Sequence, residues 1–382
     1  MTIKKRLTSI AAHIEENFDK LAFHLRQRLN GDDPLQIITY RSYGTMNRLY
    51  VTGRVLRDKG ILKATDKDTV LNNLLNMYKR FESDEIPNAE LKVTFLSKDY
   101  QMSTNAEGYF HLDLYTDVPI KWEDMWHEVE VELVNAPYSF APGIKNTAHV
   151  LVPPVDAEYG VISDLDDTVV KTSATNLLAM SRNTFFHNAH TRLPFAGVAE
   201  FYKSLQLGRN GKRNNPFFYV SSSPWNLYDL LIDFLDLNDI PEGPLLLRDF
   251  GLNIHKESSG HMGHKFKEIK QILEVYPHLN FVLIGDSGQE DPRIYREVAS
   301  QFPGRILAIY IRDVQLARRE KIAVDISTLL AAEKIDMVIV NNSVEAAAHA
   351  AEMGLIYTEE IPKIVVDKKQ DTGELPGKVQ MD

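Results

Sequence analysis

The sequence predicts an α/β fold with a doubly wound parallel sheet, preceded by a mainly β region and an N-terminal helix. Three observations lead to this prediction. Beyond residue 153, continuous apolar runs alternate with helical segments, a pattern typical of strands that helices bury on both faces. Acidic and hydroxyl residues follow directly after several of these runs. Before residue 153, the apolar runs are short, partly alternating and separated by turn residues, which indicates β-structure.

Composition and charge restrict the classes of function that the chain can have. It has 382 residues, no cysteine and a formal net charge of −10. Without cysteine, disulfides, thiolate nucleophiles and zinc–thiolate sites are excluded. The acidic balance argues against tight, non-specific binding to nucleic acid, so we expect no nucleic-acid partner. No apolar run approaches the roughly 18–20 residues of a membrane helix, and the N-terminus lacks the apolar core of a secretory signal. We therefore expect a cytoplasmic protein, and its oligomeric state stays open.

Residues 1–31 are predicted to form one amphipathic helix. Its apolar stripe, at three- and four-residue steps, consists of Ile3, Leu7, Ile10, Ile14, Phe18, Leu21, Leu25 and Leu29. The pair Asn30-Gly31 ends the helix because glycine readily adopts the left-handed cap conformation. Such a helix would dock on its own domain or pair in a dimer, whereas Lys4, Lys5 and Arg6 also permit contact with a membrane surface.

Residues 32–152 are predicted to form a mainly β, sandwich-like accessory domain. The expected strands are 36–40, 48–56, 91–97, 108–115, 128–134 and 148–152, with helical periodicity only at 68–81. The segment STNAEGYF, which begins at Ser103, resembles the turn-then-strand signature of transthyretin-like β-sandwich domains. We find no catalytic constellation in this part of the sequence and expect a structural or docking role.

Paired prolines, Pro153-Pro154, mark the expected start of a second domain, residues 153–366, because they end a strand and stiffen the connection. Its predicted strands are 160–162, 217–220, 281–284, 306–311 and 337–340, and its predicted helices are 199–207, 225–235, 265–276, 291–301 and 344–352. Residues 367–382 are polar and lack periodicity, so they are predicted to be a frayed tail.

Four polar motifs are expected to meet at one edge of the parallel sheet, because ligands of such sheets bind beyond the carboxyl ends of the strands. They are Ser163-Asp164-Leu165-Asp166-Asp167-Thr168, Ser221-Ser222-Ser223-Pro224, His264-Lys265-Phe266-Lys267 and Gly285-Asp286-Ser287-Gly288-Gln289-Glu290-Asp291. Each motif alone has an ordinary structural explanation, since acidic turns and serines cap helices and a helix lysine is usually solvated. Their joint occurrence in this order resembles the four-part signature of the haloacid dehalogenase superfamily of phosphotransferases.

The chemistry of these residues agrees with that resemblance. Two carboxylates at i and i+2 can share one Mg²⁺, the predicted cofactor, while Asp164 attacks phosphorus and Asp166 acts as acid and base. The Ser221 hydroxyl would donate a hydrogen bond to the transferring phosphoryl group, and Lys265 would neutralise that group together with the carboxylates. Asp286 would complete the metal shell. The full predicted set adds Ser222 and Thr168 as phosphate contacts and Asp291 at the metal, with Glu290 as the alternative to Asp291.

Longer segments resemble one family within this superfamily, the catalytic domain of the actin-patch-associated phosphatidate phosphatases. They are SDLDDTVVKTSATN, FFYVSSSPWNLYDLLIDFL, LLLRDFG, GHKFKEIKQIL and LIGDSGQEDPRIY, all within residues 155–313. The resemblance implies the Rossmann-like fold of this superfamily and a magnesium-dependent phosphatase that releases diacylglycerol and phosphate from phosphatidate. Position by position, it places the nucleophile on Asp164, the acid/base on Asp166, the phosphate-binding pair on Ser221 and Lys265, and the metal-binding acid on Asp286.

The gaps between the motifs predict an open site without a large cap. Residues 168–217 and 224–265 leave room only for a flap, single helices and one short strand. An open site suits a lipid headgroup or a macromolecular phosphate. Peripheral membrane contact would need a local basic and apolar rim. The candidates are Lys171, Arg182 and Phe185 on the flap and Arg209, Lys212 and Arg213 on the loop before the second motif, for which an exposed, solvated turn is the alternative. A phosphatase of soluble phosphomonoesters or phosphoproteins and a non-catalytic scaffold are the alternatives. If the β domain is accessory, a fragment starting near Val155 should still hydrolyse a small soluble ester.

Four further side chains near the third motif have two explanations each. The histidines His255, His261 and His264, before Lys265, could bind zinc or belong to a flexible loop beside an anionic substrate. Arg248, which follows a short apolar strand, could bind a phosphate bidentately or pair with an acid.

Overall fold

The computed structural model describes residues 34–58, 85–116, 119, 124–165, 196–248, 260–288, 290–313, 317–332 and 335–375. The predicted helix at 1–31 and the helical periodicity at 68–81 therefore lie outside the described residues. The same holds for Asp166, Thr168, His255 and the predicted flap, while His261 lies in a helix without a described side chain. Below, the described residues 34–152 are termed the β region and the described residues 155–375 the α/β region.

Two sheets make up the β region. The first has the order β1-β3-β6 and is formed by β1 (Leu35–Tyr40), β3 (Arg48–Arg57) and β6 (Tyr109–Tyr115). The second has the order β2-β8-β7-β4-β5 and is formed by β2 (Ser42–Tyr43), β4 (Glu90–Phe95), β5 (Lys98–Ser103), β7 (Trp126–Asn135) and β8 (Lys145–Leu151). Inward residues of both sheets, among them Val51, Val93 and Val131, share one apolar core. Two sheets packed face to face around alternating inward residues are the arrangement of a β-sandwich.

A six-stranded sheet forms the centre of the α/β region. It contains β9 (Gly160–Asp164), β10 (Phe217–Pro224), β11 (Leu245–Arg248), β12 (Phe281–Asp286), β13 (Ile306–Arg312) and β14 (Asp336–Val340). The order is β11-β10-β9-β12-β13-β14, and every neighbouring pair is parallel. The predicted α/β class with a parallel sheet is confirmed. The continuous apolar runs are explained by burial, because β9, β10 and β12 are buried along their whole length.

Helices cover both faces of this sheet. They are α1 (Val198–Leu207), a 3-10 helix (Trp225–Leu227), α2 (Tyr228–Leu237), α3 (Gly260–Val275), α4 (Asp291–Gln301), α5 (Ala317–Ala332), α6 (Ser343–Glu352), a second 3-10 helix (Thr358–Glu360) and α7 (Ile361–Asp371). Alternate strand residues face opposite cores, so that Val161 packs with α1 and α2 whereas Ile162 packs with α3 and α4. None of the described helices is both long and apolar enough to span a lipid bilayer.

The predicted polar tail at 367–382 is wrong in its first part, because α7 runs through the boundary at 366. Asp367 is only 2% exposed, and its Oδ2 accepts a hydrogen bond from the Glu200 backbone N–H at 3.1 Å. Asp371 Oδ2 accepts one from the Gly197 N–H at 2.7 Å. The sequence lacked an apolar period here because α7 buries only Ile364 and Asp367. Residues 376–382 lie outside the described part of the chain.

The β region packs directly on the α/β region. Tyr43 and Tyr50 belong to the same apolar cluster as Phe218 and Tyr276, and the Tyr276 hydroxyl donates to the Gly44 carbonyl at 2.9 Å. On the other face of the sheet, Tyr40 belongs to the cluster that contains α2. The two regions therefore share buried side chains rather than meeting only through a linker.

Candidate active site

The order in which strands are added to the parallel sheet reverses at β9. Along the chain, β10 and β11 are added on one side of β9, and β12, β13 and β14 are added on the other. In open α/β sheets, a crevice forms outside the carboxyl ends of the strands at such a switch point. Asp164 is the last residue of β9 and Asp286 the last residue of β12, so both carboxylates lie at this crevice. The register agrees, since Ser163 pairs with Ile284.

Lys265, in the second turn of α3, bridges two buried carboxylates. Its Nζ lies 2.7 Å from Asp164 Oδ1 and 2.9 Å from Asp291 Oδ1. Lys265 is 3% exposed, Asp164 7% and Asp291 0%. Charges this deeply buried are tolerated only when they are paired with good geometry, which the short distances provide. The structure thus brings together the first, third and fourth motifs.

Asp291, the first residue of α4, also fixes the end of β12. Its Oδ2 accepts a hydrogen bond from the Asp286 backbone N–H at 3.1 Å, while its Oδ1 contacts Lys265. Glu290, the alternative, forms an ion pair with Arg293 at 2.9 Å on the surface. Of the two acids, Asp291 is the one that lies in the carboxylate cluster. Because both of its oxygens contact protein groups, it is placed to orient Lys265 and Asp286.

Gly285 permits this arrangement by lacking a side chain. A Cβ at that position would lie 2.5 Å from Asp291 Oδ2 and 2.9 Å from Asp291 Cβ. Real Cβ atoms do not approach other atoms so closely, so any larger residue would displace the Asp291 carboxylate. The glycine before Asp286 is thus required by close packing rather than by a turn.

The second motif lies beside Asp164. Val220 pairs with Asp164 across β10 and β9, which places Ser221 one residue beyond the level of Asp164. The Ser221 Oγ accepts a hydrogen bond from the Ser223 backbone N–H at 3.0 Å. A hydroxyl that accepts one hydrogen bond still has its own proton to donate. The hydroxyls of Ser222 and Ser223 are buried, and within the described residues neither has a hydrogen-bond partner.

Burial and charge shift the pKa values of this site. The pKa of Asp164 lies well above its usual value, because burial and the nearby Asp291 carboxylate outweigh the effect of Lys265. Asp286 adds to the rise in the pKa of Asp164. Burial would lower the pKa of Lys265, but Asp164 and Asp291 raise it above the ordinary value, so the ammonium stays charged. The site therefore combines a fixed cation with an acidic environment that disfavours a further negative charge.

Comparison with known proteins agrees with this geometry. Residues 159–313 match the family model described as "Phosphatidate phosphatase APP1, catalytic domain". These residues are thus similar to that catalytic domain, and below they are termed the APP1-type domain. The APP1-type domain begins at Tyr159, just before β9, and ends at Asp313, just after β13, so it contains the whole switch point.

Two curated relatives extend the match beyond this domain. Phosphatidate phosphatase APP1 of Saccharomyces cerevisiae is 31% identical over 254 residues, which cover 64% of this chain and 41% of that protein. An uncharacterized protein of Schizosaccharomyces pombe is 28% identical over 219 residues, which cover 56% of this chain and 35% of that protein. The chain thus spans well under half the length of these relatives.

A solved structure, a carbohydrate acetylesterase from Xanthomonas citri, is 10% identical and covers 85% of this chain and 75% of its own, with a TM-score of 0.32. A likeness at that level carries no argument about fold or function. The similarity of the APP1-type domain to that family rests on the family model and the sequence relatives.

Two carboxylates of the APP1-type domain fit the chemistry of a divalent-cation site. The Asp164 and Asp286 carboxylates lie at the ends of adjacent strands, and oxygen ligands of this kind suit Mg²⁺. A cation beside Asp164 would oppose the burial and the neighbouring carboxylates that raise its pKa, so the donor set fits a divalent ion. Among the residues that the structure describes, no three His, Asp or Glu side chains form a complete cation site. Asp166, the expected additional ligand, is outside them.

His264 is the described histidine of the predicted loop trio, and it is buried beside Lys265 in α3. Burial and the positive charge of Arg248 lower its pKa to about 4, so its imidazole is neutral at neutral pH. Arg248 ends β11 opposite Pro224, which places it at the same edge of the sheet. His264 thus belongs to a packed helix rather than to a flexible loop, because α3 begins at Gly260.

The predicted membrane rim of Arg209, Lys212 and Arg213 is wrong as a rim of this site. These residues precede β10, which begins at Phe217, whereas Ser221 is the fifth residue of this strand, roughly 13 Å further along it. The flap candidates Lys171, Arg182 and Phe185 lie outside the described residues. Lys212 forms an ion pair with Asp156, and the Arg209 N–H donates to Glu158 Oε2 at 2.6 Å. Proximity in sequence to the second motif was misleading because a strand carries the chain across the whole sheet.

The sequence did not reveal two tyrosines whose hydroxyls contact the strands that carry Asp164 and Asp286. The Tyr202 hydroxyl lies 2.7 Å from Ser163 Oγ, directly next to Asp164. The Tyr295 hydroxyl donates to the Ile284 carbonyl at 2.8 Å, two residues before Asp286. Both tyrosines lie on helices at ordinary apolar positions, so no local signal distinguishes them from core residues.

Proposed function

We propose that this chain is a magnesium-dependent phosphatase that forms an aspartyl phosphate on Asp164, with phosphatidate as its substrate. One observation carries the proposal: Lys265 Nζ bridges Asp164 and Asp291 at the switch point of the sheet, within the APP1-type domain. Ser221 stands on the adjacent strand. A nucleophilic carboxylate, a fixed cation and a hydroxyl donor at one strand edge are suited to phosphoryl transfer.

In the first step, an Asp164 carboxylate oxygen forms a bond to phosphorus as the bond to the leaving alcohol breaks. Asp166 protonates the alcohol oxygen, so the alcohol leaves neutral. In the second step, water attacks the aspartyl phosphate, Asp166 takes its proton, and the phosphorus–Asp164 bond breaks to release inorganic phosphate. Splitting the hydrolysis in this way replaces one difficult displacement by two easier ones.

The other residues position groups and neutralise charge. Lys265, held by Asp291, can stabilise the negative charge that spreads over the phosphoryl oxygens. Ser221, whose rotamer is set by the Ser223 N–H, can donate its proton to one of those oxygens, with Ser222 and Thr168 as further contacts. Bound Mg²⁺, held by Asp164 and Asp286 together with Asp166, would supply additional charge neutralisation.

Phosphatidate is proposed as the substrate because the Saccharomyces cerevisiae relative is named a phosphatidate phosphatase. The product would be diacylglycerol. Such a substrate lies in a bilayer, so the proposal includes peripheral contact with a lipid surface. Soluble phosphomonoesters and phosphoproteins share the same reacting group, and they form the comparison arms of the experiment.

The test is a phosphate-release assay with phosphatidate in mixed micelles, a soluble aryl phosphate, sugar phosphates, nucleotides and phosphopeptides. Phosphatidate should be hydrolysed with Mg²⁺ but not with EDTA, and Asp164→Asn should lose nearly all turnover because an amide cannot attack phosphorus. Asp166→Asn should also lose turnover while its metal binding is less affected than that of Asp286→Ala. Efficient hydrolysis of soluble esters without any of phosphatidate would overturn the substrate. Substantial turnover by Asp164→Asn would overturn the nucleophile.

A further inference from the structure

The β region contacts the α/β region at the turn that follows the second motif. This turn is the 3-10 helix Trp225–Leu227, directly after Pro224. The Tyr40 ring stacks on the Trp225 ring with a centroid distance of 4.3 Å and an interplanar angle of 26°. The Tyr40 ring also packs against Tyr228 at 4.6 Å, and the Tyr228 hydroxyl accepts a hydrogen bond from the Arg41 backbone N–H at 2.7 Å.

A buried arginine of the β region binds the same turn. Arg54 is 5% exposed, and its Nη1 donates to Asn226 Oδ1 at 3.2 Å. Its Nη2 donates to Glu85 Oε1 at 2.8 Å, and its Nε donates to the Glu107 carbonyl at 2.9 Å. The guanidinium also lies over the Tyr109 ring at 4.3 Å. These three hydrogen bonds and the ring contact fix the orientation of the planar Arg54 guanidinium, so the donor to Asn226 is held in place.

The turn is coupled to Ser221 through the backbone. The Ser223 N–H donates to Ser221 Oγ at 3.0 Å and thereby sets the direction of the Ser221 hydroxyl. Ser223 is two residues before Trp225, and both it and Pro224 are buried. A displacement of Trp225 and Asn226 would therefore move the Ser223 N–H and rotate the Ser221 hydroxyl away from the reacting group.

We infer that Arg54 and Tyr40 are positioning residues for the reaction, because they hold Trp225 and Asn226 where Ser223 can orient Ser221. The inference rests on the proposed function and extends it, since it makes the β region a structural part of the phosphate site rather than an accessory domain. Neither residue touches the reacting atoms. Their effect on turnover is transmitted through the Ser221 hydroxyl.

The experiment uses the full chain and the variant Asn226→Ala, which removes the acceptor of Arg54 but leaves the other bonds of its guanidinium in place. We expect kcat to fall about tenfold to a hundredfold, the range in which a small misplacement of a catalytic group acts. Asn226→Asp retains an acceptor for Arg54, adds charge to the hydrogen bond, and should keep most of the turnover. Kinetics are measured on a soluble aryl phosphate and on phosphatidate in mixed micelles.

Arg48→Gln is the matched control. Arg48 lies on the same strand as Arg54, and its described contacts, a double hydrogen bond to Asp113 and the rings of Tyr50 and Tyr115, are all within the β region. This variant should lower Tm without changing kcat. If Arg48→Gln lowers kcat as much as Asn226→Ala at an equal loss of Tm, the contact is merely structural and the inference is overturned.

A double-mutant cycle with Ser221→Ala decides whether the effect passes through Ser221. If it does, Asn226→Ala should cost little further turnover in the Ser221→Ala background. Fully additive losses would overturn the inference. A wild-type chain that hydrolyses no phosphomonoester would overturn the proposed function instead. In that case, calorimetric titration with inorganic phosphate and Mg²⁺ decides the inference: a several-fold weaker affinity in Asn226→Ala supports it, and equal affinity, or no binding by either chain, overturns it.

Discussion

At the scale of single residues, the site depends on how closely Asp291 approaches the backbone at Gly285. The Asp291 carboxylate reaches two groups at once, the Lys265 ammonium and the Asp286 N–H. A hydrogen at Gly285 leaves room for that carboxylate, and a methyl group does not. Because the same carboxylate holds the cation beside Asp164, one added carbon at Gly285 should disturb the charge arrangement of the whole cluster.

The variant Gly285→Ala should therefore lose most of its turnover, roughly a hundredfold, at a cost of about 1–3 kcal/mol in the free energy of unfolding. Gly160→Ala is its control, since a Cβ there would lie 2.4 Å from the Phe281 ring at the opposite edge of the same sheet. Both variants are compared by urea unfolding and by phosphate release. The two variants should lose similar stability, but only Gly285→Ala should lose most of its turnover. Equal turnover of the two variants would show that Asp291 does not need its observed position.

His264 should make stability depend on pH. Its folded-state pKa is lowered to about 4, whereas an unfolded histidine titrates near 6.5, so between these values the unfolded chain binds more protons. The free energy of unfolding should accordingly fall as pH decreases from about 6.5 to about 4, by at most about 3 kcal/mol from this group. Urea unfolding of the wild type and of His264→Gln measures this, and the difference in slope between them should vanish above pH 7. The same slope in both chains would contradict the assignment.

At the scale of elements, the last helix supports the first one. α1 leads from the carboxyl edge of β9 to the amino edge of β10, so its N-terminus lies at the edge of the sheet that carries the site. There α7 supplies two carboxylates, Asp371 to the Gly197 N–H and Asp367 to the Glu200 N–H. Carboxylates at a helix N-terminus satisfy amides that have no partner within the helix and interact favourably with its dipole.

Asp367→Ala should therefore lower the free energy of unfolding by about 1–2 kcal/mol, because the buried N–H of Glu200 would lose its acceptor. Glu374→Ala, which removes an exposed acid from the end of the same segment, serves as the control and should change stability by less than about 0.5 kcal/mol. Urea unfolding measures both. Equal effects of the two substitutions would show that the Asp367 carboxylate contributes no capping.

The contrast between these elements shows what the sequence could predict. The apolar runs of β9, β10 and β12 are continuous because both faces are buried, so these strands and the polar residues at their ends could be identified from the sequence. The full extent of α7 could not be identified in this way, because it buries one apolar and one acidic side chain and so has no apolar periodicity. The hydrogen bond from Arg54 to Asn226 joins residues 172 positions apart, and such a partner is chosen by tertiary packing alone. The position of Asp166 stays a prediction.

At the scale of the whole molecule, Pro153-Pro154 separates a mainly β part of the chain from an α/β part. It does not separate two hydrophobic cores, because residues from both parts pack in the same cluster. Tyr43, Tyr50 and Leu151 pack in the cluster that contains Phe218 and α3. Gln271 Nε2 donates to the Tyr43 hydroxyl at 2.8 Å, and Arg41 lies 3.3 Å from Asp236. The expectation of a separable accessory domain therefore conflicts with the packing of the β region against both faces of the parallel sheet.

A fragment that starts at Val155 should consequently fail to form a rigid fold, in contrast to what the sequence pattern suggested. Removing the β region takes ring contacts away from Trp225, Tyr228, Phe218 and Tyr276, and full re-exposure of a large apolar side chain costs about 1.5–3 kcal/mol. Because these rings keep some neighbours in the α/β region, roughly 6–12 kcal/mol is the upper bound for the four, against the roughly 5–15 kcal/mol that stabilises a typical domain.

The expected fragment binds a hydrophobic dye, lacks near-ultraviolet circular dichroism and shows no cooperative thermal transition, as loosely packed states do. The full-length variant Arg48→Gln, weakened only within the β region, serves as the comparison and should retain a cooperative transition at lower temperature. If the fragment instead unfolds cooperatively and hydrolyses a soluble aryl phosphate as fast as the full chain, then neither the shared core nor the contact of Arg54 with Asn226 is needed for the site. Its behaviour thus decides whether catalysis belongs to the parallel sheet alone or to both regions together.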